Sequence, residues 1–265
     1  CILATHAFID IHKILLLVFI SACLYGGGIV FNDVFDITTD ETERPDRPLP
    51  SGNISKRDAL YLGVILFLTA LLCACLVNAT SVCISIVIIA LIMSYNAWTK
   101  TVPAIGTLNM GLCRFFNLML GLSIIPASIS TYWMFPLILM IYVMLITALS
   151  KQEVKGEQRW KIVFVISCFI GLVFFTGSLS VKGILPNHAM HGLLFIFTLI
   201  VLWPMGKAVI NPCPKSIQST IKTMVLSIII LDACFVMGAT NGLHALVVLA
   251  LLVPASIISR YLYVT

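Results

Sequence analysis

Asn32-Asp33-Val34-Phe35-Asp36-Ile37-Thr38-Thr39-Asp40, running on through Glu43-Arg44 and Arg47-Pro48-Leu49-Pro50-Ser51-Gly52, interrupts an apolar run that extends from Ile14 to Phe31. Carboxylates and arginines therefore arrive abruptly at the end of a hydrophobic segment. If a helix continues through them, Asp33, Asp36 and Asp40 fall at i, i+3 and i+7, on one face and within roughly 60° of each other. Unpaired carboxylates crowded in that way repel one another. Mg²⁺, a hard cation that prefers oxygen and takes a few carboxylates together with phosphate oxygens, would offset that repulsion. Arg44 and Arg47 bring the forked donors that suit a diphosphate. The plainer alternative is a solvated acidic loop.

The surrounding composition fixes the setting. Of the 265 residues, 60% are hydrophobic and only 10% charged, and the mean hydropathy is +1.08. Such a chain lies outside the range of soluble globular proteins. The segments between polar breaks are about 17 to 25 residues long, the length that crosses a bilayer. Nine spans are expected, at 13–31, 57–77, 80–97, 104–125, 132–150, 160–180, 188–206, 216–238 and 242–262. The chain opens on Cys1 inside apolar sequence, so residues 1–12 read as the tail of a truncated first helix. The whole of 1–265 reads as a single all-α, polytopic transmembrane domain.

Alternate threading of these spans puts thirteen of the 16 Lys and Arg on the face that carries residues 32–57. They are Arg44, Arg47, Lys56, Arg57, Lys100, Lys151, Lys155, Arg159, Lys161, Lys207, Lys215, Lys222 and Arg260. Only Lys13 and Lys182 fall on the other face. That bias makes the motif face cytoplasmic. The nine cysteines form no CxxC pair and read as small buried thiols. A net charge of +5 without a basic tract gives no argument for nucleic acid. No GxSxG, P-loop or strand-linked GxGxxG occurs.

Three further polar features share the motif face or point toward it. Ser150 to Lys161 places Glu153 and Glu157 four residues apart, interleaved with Lys151, Lys155 and Arg159. This is either a solvated loop or a second carboxylate cluster for a second Mg²⁺ on the same diphosphate. Tyr95 to Lys100 (YNAWTK) is equally an interfacial aromatic anchor. Arg114, with Asn109 and Asn117 nearby, sits within a span, where a charge is expensive and marks a functional site by default. All three are expected to line one polar cavity. Asp232 is either an extension of that cavity or a structural partner for a group such as Asn241 or His244. His188-x-x-His191 is not read as a metal site.

The first motif, in the form N-D-x-x-D-x-x-x-D followed by E-R-x-x-R-P-L-P-S-G, resembles the first signature of the UbiA superfamily of intramembrane prenyltransferases. Tyr95 to Lys100 resembles that family's Tyr-x-x-x-Lys element with one residue more. The resemblance implies about nine helices around a central cavity, with Asp-rich motifs at a cytoplasmic mouth. It also implies an isoprenyl diphosphate donor and a lipophilic, aromatic acceptor in a bacterial inner membrane. Asp33, Asp36, Asp40, Glu153 and Glu157 would then hold Mg²⁺. Asn32, Arg44, Arg47, Tyr95, Lys100, Arg114, Asn117 and Lys151 would bind diphosphate, and Asp33, Asp36, Lys100 and Arg114 would serve catalysis. The second motif departs from the family pattern: on the alignment at Gly156, Ser150, Glu153 and Glu157 stand where three Asp are usual. This variant, with Asn109 to Asn117, is similar to the EboC-like branch. A non-catalytic prenyl-diphosphate carrier and an intramembrane terpene cyclase are the competing expectations.

Overall fold

In the computed structural model, residues 10–150, 159–240 and 242–261 are described, and all their regular structure is helical. In chain order the helices are α1 (Ile11–Glu43), α2 (Lys56–Cys75), α3 (Ala79–Ala97), α4 (Pro103–Leu122), α5 (Ser128–Tyr132), α6 (Met134–Ser150), α7 (Arg159–Val181), α8 (Met190–Ile210), α9 (Pro214–Ala239), α10 (Gly242–Ala250) and α11 (Leu252–Tyr261). A 3₁₀ turn, Thr99–Thr101, precedes α4. Eight stretches are long and apolar enough to span a bilayer, one of them formed by Gly242–Ser259 across α10 and α11. The shorter apolar helix α6 accounts for the ninth expected span. The chain is thus an all-α, polytopic membrane protein, as its hydropathy predicts. Residues 1–9, read as a truncated helix, lie outside the described residues.

The chain divides into two compact units, one reaching to Met140 and the other beginning at Ile141. In the first unit α1 is the longest element. Asp10 caps it by accepting from the His12 amide at 2.9 Å. Its 33 residues extend about 50 Å at 1.5 Å per residue, well beyond a hydrocarbon core of about 30 Å. The surplus turns carry the acidic motif out of the core as continuous helix, so the conditional spacing of its three aspartates holds. Arg44 then ends the helix, its amide bonding to the Asp40 carbonyl at 2.8 Å.

α2 runs back beside α1 in unusually close contact. A Cβ on Gly27 would come within 2.5 Å of the Phe67 ring, and one on Gly63 within 2.8 Å of Phe31. The two rings stack at 5.1 Å between them. Each glycine makes room for the ring of the opposite helix, the small-residue packing of membrane bundles. At the far end from the motif, Asn78 caps α3 through the Ser81 amide at 2.9 Å and donates to the Ser123 carbonyl at 2.7 Å. The Ser81 and Ser123 hydroxyls share a further bond of 2.7 Å. α3 and α4 are thereby tied where they turn.

The second unit centres on Tyr142, whose hydroxyl lies 2.7 Å from that of Ser227 and whose ring meets Phe197 at 5.5 Å and Phe169 at 6.0 Å. Pro204 lies inside α8, and Thr220 of α9 donates to its carbonyl at 3.1 Å. Asn187 joins the α7–α8 turn to the end of α9 through Gly238 and Thr240.

Candidate functional site

The α1, α3 and α4 helices enclose a cavity of about 640 Å³. Its lining follows helical periodicity on each wall. The α1 wall presents Val18, Ser21, Ala22, Tyr25, Ile29, Asn32 and Asp33; α3 presents Ile88, Ile92, Tyr95 and Asn96; α4 presents Met110, Cys113, Arg114 and Asn117. Arg47 reaches it from the α1–α2 connection. One end is therefore polar and acidic, and the shaft below it is mainly apolar. That combination suits an amphiphile with a charged head and a hydrocarbon tail.

At the polar mouth the aspartates are held by the chain's own cations. Arg47 Nη1 lies 3.2 Å from Asp33 Oδ1 and 2.7 Å from Asp40 Oδ2, and Asp40 is buried. Lys100 is ion-paired to Asp36 Oδ1. Each carboxylate therefore engages a cation through one oxygen, and the arrangement draws the α1–α2 connection and the 3₁₀ turn onto the acidic face of α1. Among the described residues no three His, Cys, Asp or Glu side chains converge on one point. The donor set still fits Mg²⁺, which commonly takes one or two carboxylates and completes its octahedron with water and substrate phosphate.

The expected site residues are distributed as follows. Asn32, Asp33, Arg47, Tyr95, Arg114 and Asn117 line the cavity. Asp36, Asp40 and Lys100 stand at its mouth through the ion pairs with Arg47 and Lys100. Arg44 is exposed at the end of α1 and is not among the lining residues. Lys151, Glu153 and Glu157 lie outside the described residues. Ser150 closes α6 and donates to the Thr147 carbonyl at 3.0 Å.

One placement differs from expectation, and one open alternative is narrowed. Asn109 is buried and turned away from the cavity, donating to Ser94 Oγ at 2.9 Å and Thr99 Oγ1 at 3.0 Å. It fastens α4 to the end of α3, because a buried amide must find partners and the turn supplies two hydroxyls. Asp232 is partly buried on α9 in the second unit, where it interacts with neighbours, and does not line this cavity.

Ser21, not singled out by the sequence, and Asn96, expected only as part of the Tyr95 to Lys100 stretch, also line the cavity. Ser21 donates to Asn117 Oδ1 at 2.7 Å, which sets the level of α4 against α1. From that bond Arg114 lies one turn nearer the mouth, about 12 Å deeper than Asn32 by backbone rise. Helical side chains lean toward the helix N-terminus, so Arg114 tilts toward the mouth.

A continuous-helix membrane bundle with an acidic mouth over an apolar shaft belongs with membrane proteins whose cavity fits an amphiphile with a charged head. Within that class the family is shown: residues 1–159 match the UbiA prenyltransferase family, and the chain belongs to it. Several digeranylgeranylglyceryl phosphate synthases are similar. That of Methanothrix thermoacetophila is 35% identical over 108 residues, 40% of each chain. That of Thermococcus sibiricus is 27% identical over 245 residues, 86% of this chain and 85% of its own. The chain thus spans about two fifths of the Methanothrix relative and most of the Thermococcus one. Among solved structures, one from work on digeranylgeranylglyceryl phosphate synthase in membranes aligns with a TM-score of 0.68 at 22% identity, over 88% of this chain and 87% of that one. The apo structure of a UbiA homologue from Aeropyrum pernix K1 aligns at 0.61 and 15% identity, over 89% and 92%. These likenesses confirm the all-α fold.

Proposed function

We propose that this chain, as one domain, is an intramembrane prenyltransferase that moves an isoprenyl group from an isoprenyl diphosphate to a lipophilic acceptor. The observation that carries this reading is the continuity of one cavity from Asn32, Asp33 and Arg47 down to Ile29, Ile88 and Ile92. The head of the donor belongs at the first set and its tail along the second.

Asp33, Asp36 and Asp40 would hold Mg²⁺, with Glu153 and Glu157 supplying a second site. Bound there, the metal would supply charge neutralisation that makes the diphosphate a better leaving group. Asn32 orients the diphosphate, and Tyr95 and Asn117 add hydrogen bonds. Arg47 and Lys100 exchange their aspartate partners for phosphate oxygens, Arg114 adds positive charge from deeper in the cavity, and Lys151 is assigned to the same diphosphate. Arg44 contributes long-range attraction from the helix end. Stabilisation of the departing anion is then the main electrostatic contribution to the rate. The bond between the allylic carbon and the diphosphate breaks with its electron pair on the diphosphate. The acceptor bonds to that carbon as the diphosphate leaves, and the proton the acceptor loses passes to a diphosphate oxygen.

The sequence suggested an aromatic acceptor, but the names of the relatives favour an alcohol. A glyceryl phosphate ether is formed by alkylating a hydroxyl, and we take an alcohol as the acceptor here. The mouth faces the cytoplasm, on the strength of the Lys and Arg distribution.

The test is diphosphate release by purified protein from geranyl, farnesyl and geranylgeranyl diphosphates, with and without Mg²⁺ and a membrane-lipid extract. Release that needs both Mg²⁺ and the extract supports the transferase. Release from donor alone indicates a cyclase or hydrolase instead. Binding without release indicates a carrier.

A further inference from the structure

Asn96 combines two properties that are seldom found together. It lines the cavity, yet it is only 3% exposed and its Oδ1 is buried without a hydrogen-bond partner among the described residues. Buried side-chain oxygens are nearly always bonded, and one left unmade is costly, so an orphan on a cavity wall marks a place where a ligand completes the bonding. The remaining buried polar side chains of this region are satisfied locally: Asn109 by Ser94 and Thr99, Asp40 by Arg47.

The level of Asn96 can be fixed from the packing. A Cβ on Gly28 would lie 3.5 Å from the Ile92 side chain, so these residues face each other across α1 and α3. Both helices run toward the mouth, and one turn further along are Asn32 on α1 and Asn96 on α3. Asn96 therefore stands opposite Asn32, at the seam where the acidic mouth gives way to the Ile88–Ile92 shaft. A donor with its diphosphate at Asn32 and Asp33 and its tail in the shaft has its allylic carbon at that seam.

Resting on the proposed function, we infer that Asn96 is a positioning residue for the acceptor: its Oδ1 accepts a hydrogen bond from the acceptor's hydroxyl and holds that oxygen against the allylic carbon. Oδ1 is buried as it stands, and a turn about the broad terminal amide torsion of Asn brings it to the cavity. In the transfer, the acceptor oxygen bonds to the allylic carbon while the carbon–diphosphate bond breaks with its pair on the diphosphate. The hydroxyl proton passes to a diphosphate oxygen. The amide is no base and takes no proton. It selects acceptors that present a donor group at this point and aligns them.

The experiment uses the full chain in detergent, loaded with Mg²⁺ and a non-ionising thiolo analogue of farnesyl diphosphate. Calorimetry compares binding of 1-O-hexadecylglycerol 3-phosphate, which has a free 2-hydroxyl, with its 2-deoxy counterpart. Wild type is expected to prefer the hydroxyl lipid by about tenfold or more, since the deoxy lipid leaves Oδ1 unpaired. Asn96→Leu is expected to bring the ratio to about one, and Asn96→Asp, which keeps an acceptor oxygen, to restore a preference. Retained binding of the thiolo donor by both variants reports an intact fold. Equal binding of the two lipids by wild type, no binding of either, or a preference that survives Asn96→Leu overturns the role of Asn96 and leaves the proposed function standing. Failure of wild type to bind the thiolo donor overturns the proposed function itself.

Discussion

Arg47 Nη1 touches two carboxylates that are seven residues apart on one helix, Asp33 at 3.2 Å and Asp40 at 2.7 Å. A single guanidinium nitrogen thus spans two turns of the acidic face and pulls the connection after α1 down onto it. Removing it leaves Asp40 buried beside its neighbours with no cation. Arg47→Ala is expected to lower the melting temperature and to weaken Mg²⁺-dependent binding of a thiolo-diphosphate donor by about 10- to 100-fold. Arg47→Lys recovers only part of that, because an ammonium lacks the fork. Arg44→Ala, at an exposed position outside the cavity lining, is expected to cost donor binding less than Arg47→Ala does. Titration of the three variants with one donor analogue gives the order directly.

Asp33 and Asp36 are the proposed metal ligands at the mouth. Alanine at either is expected to reduce diphosphate release by about 10³-fold or more, the scale of losing a main electrostatic element of an active site. The helical circular dichroism should persist, since both side chains are partly exposed. Release at the wild-type rate from either variant would remove these residues from the machinery.

The ion pair between Lys100 and Asp36 joins the 3₁₀ turn to α1. If Lys100 transfers to phosphate when donor arrives, Lys100→Met and Asp36→Asn are coupled in the free protein and less coupled in the donor-bound one. A double-mutant cycle on donor affinity measures that difference, expected at about 1 kcal/mol for a partly exposed pair.

Ser21 and Asn117 meet on the shaft wall, far from the acidic mouth. Ser21→Leu inserts three extra carbons at that level. It is expected to shift donor preference from geranylgeranyl toward geranyl diphosphate by about tenfold, as overpacking a filled cavity costs about 1–3 kcal/mol. Competition between the three donors for one protein sample reads out the shift.

The helical order was legible because bilayer-length apolar runs separated by charged or proline-containing breaks leave little choice. The acidic motif was equally plain, since i, i+3, i+7 aspartates keep a common face in any helix. What stayed hidden was facing. In an all-apolar helix no periodicity separates the lipid side from the cavity side, so Asn109 was expected in the cavity with Arg114 and instead bonds Ser94 and Thr99. Asn96 belonged to a recognised polar stretch, but its burial on the cavity wall emerges only from the packing of α3 on α1. The last expected span, 242–262, is interrupted at Leu251, just ahead of Pro254 in the first turn of α11. A proline there lacks the amide that would have continued α10.

The exchange of ring for glycine between Gly27 and Phe67, and between Gly63 and Phe31, has a mechanical consequence. With ring atoms seated against the opposing backbone at two levels, α1 can neither slide along α2 nor roll against it without collision. The carboxylates accordingly keep a constant height and bearing against α2, like the fixed jaw of a vice. α3 and α4 face it across the cavity, their far ends pinned by Asn78, Ser81 and Ser123.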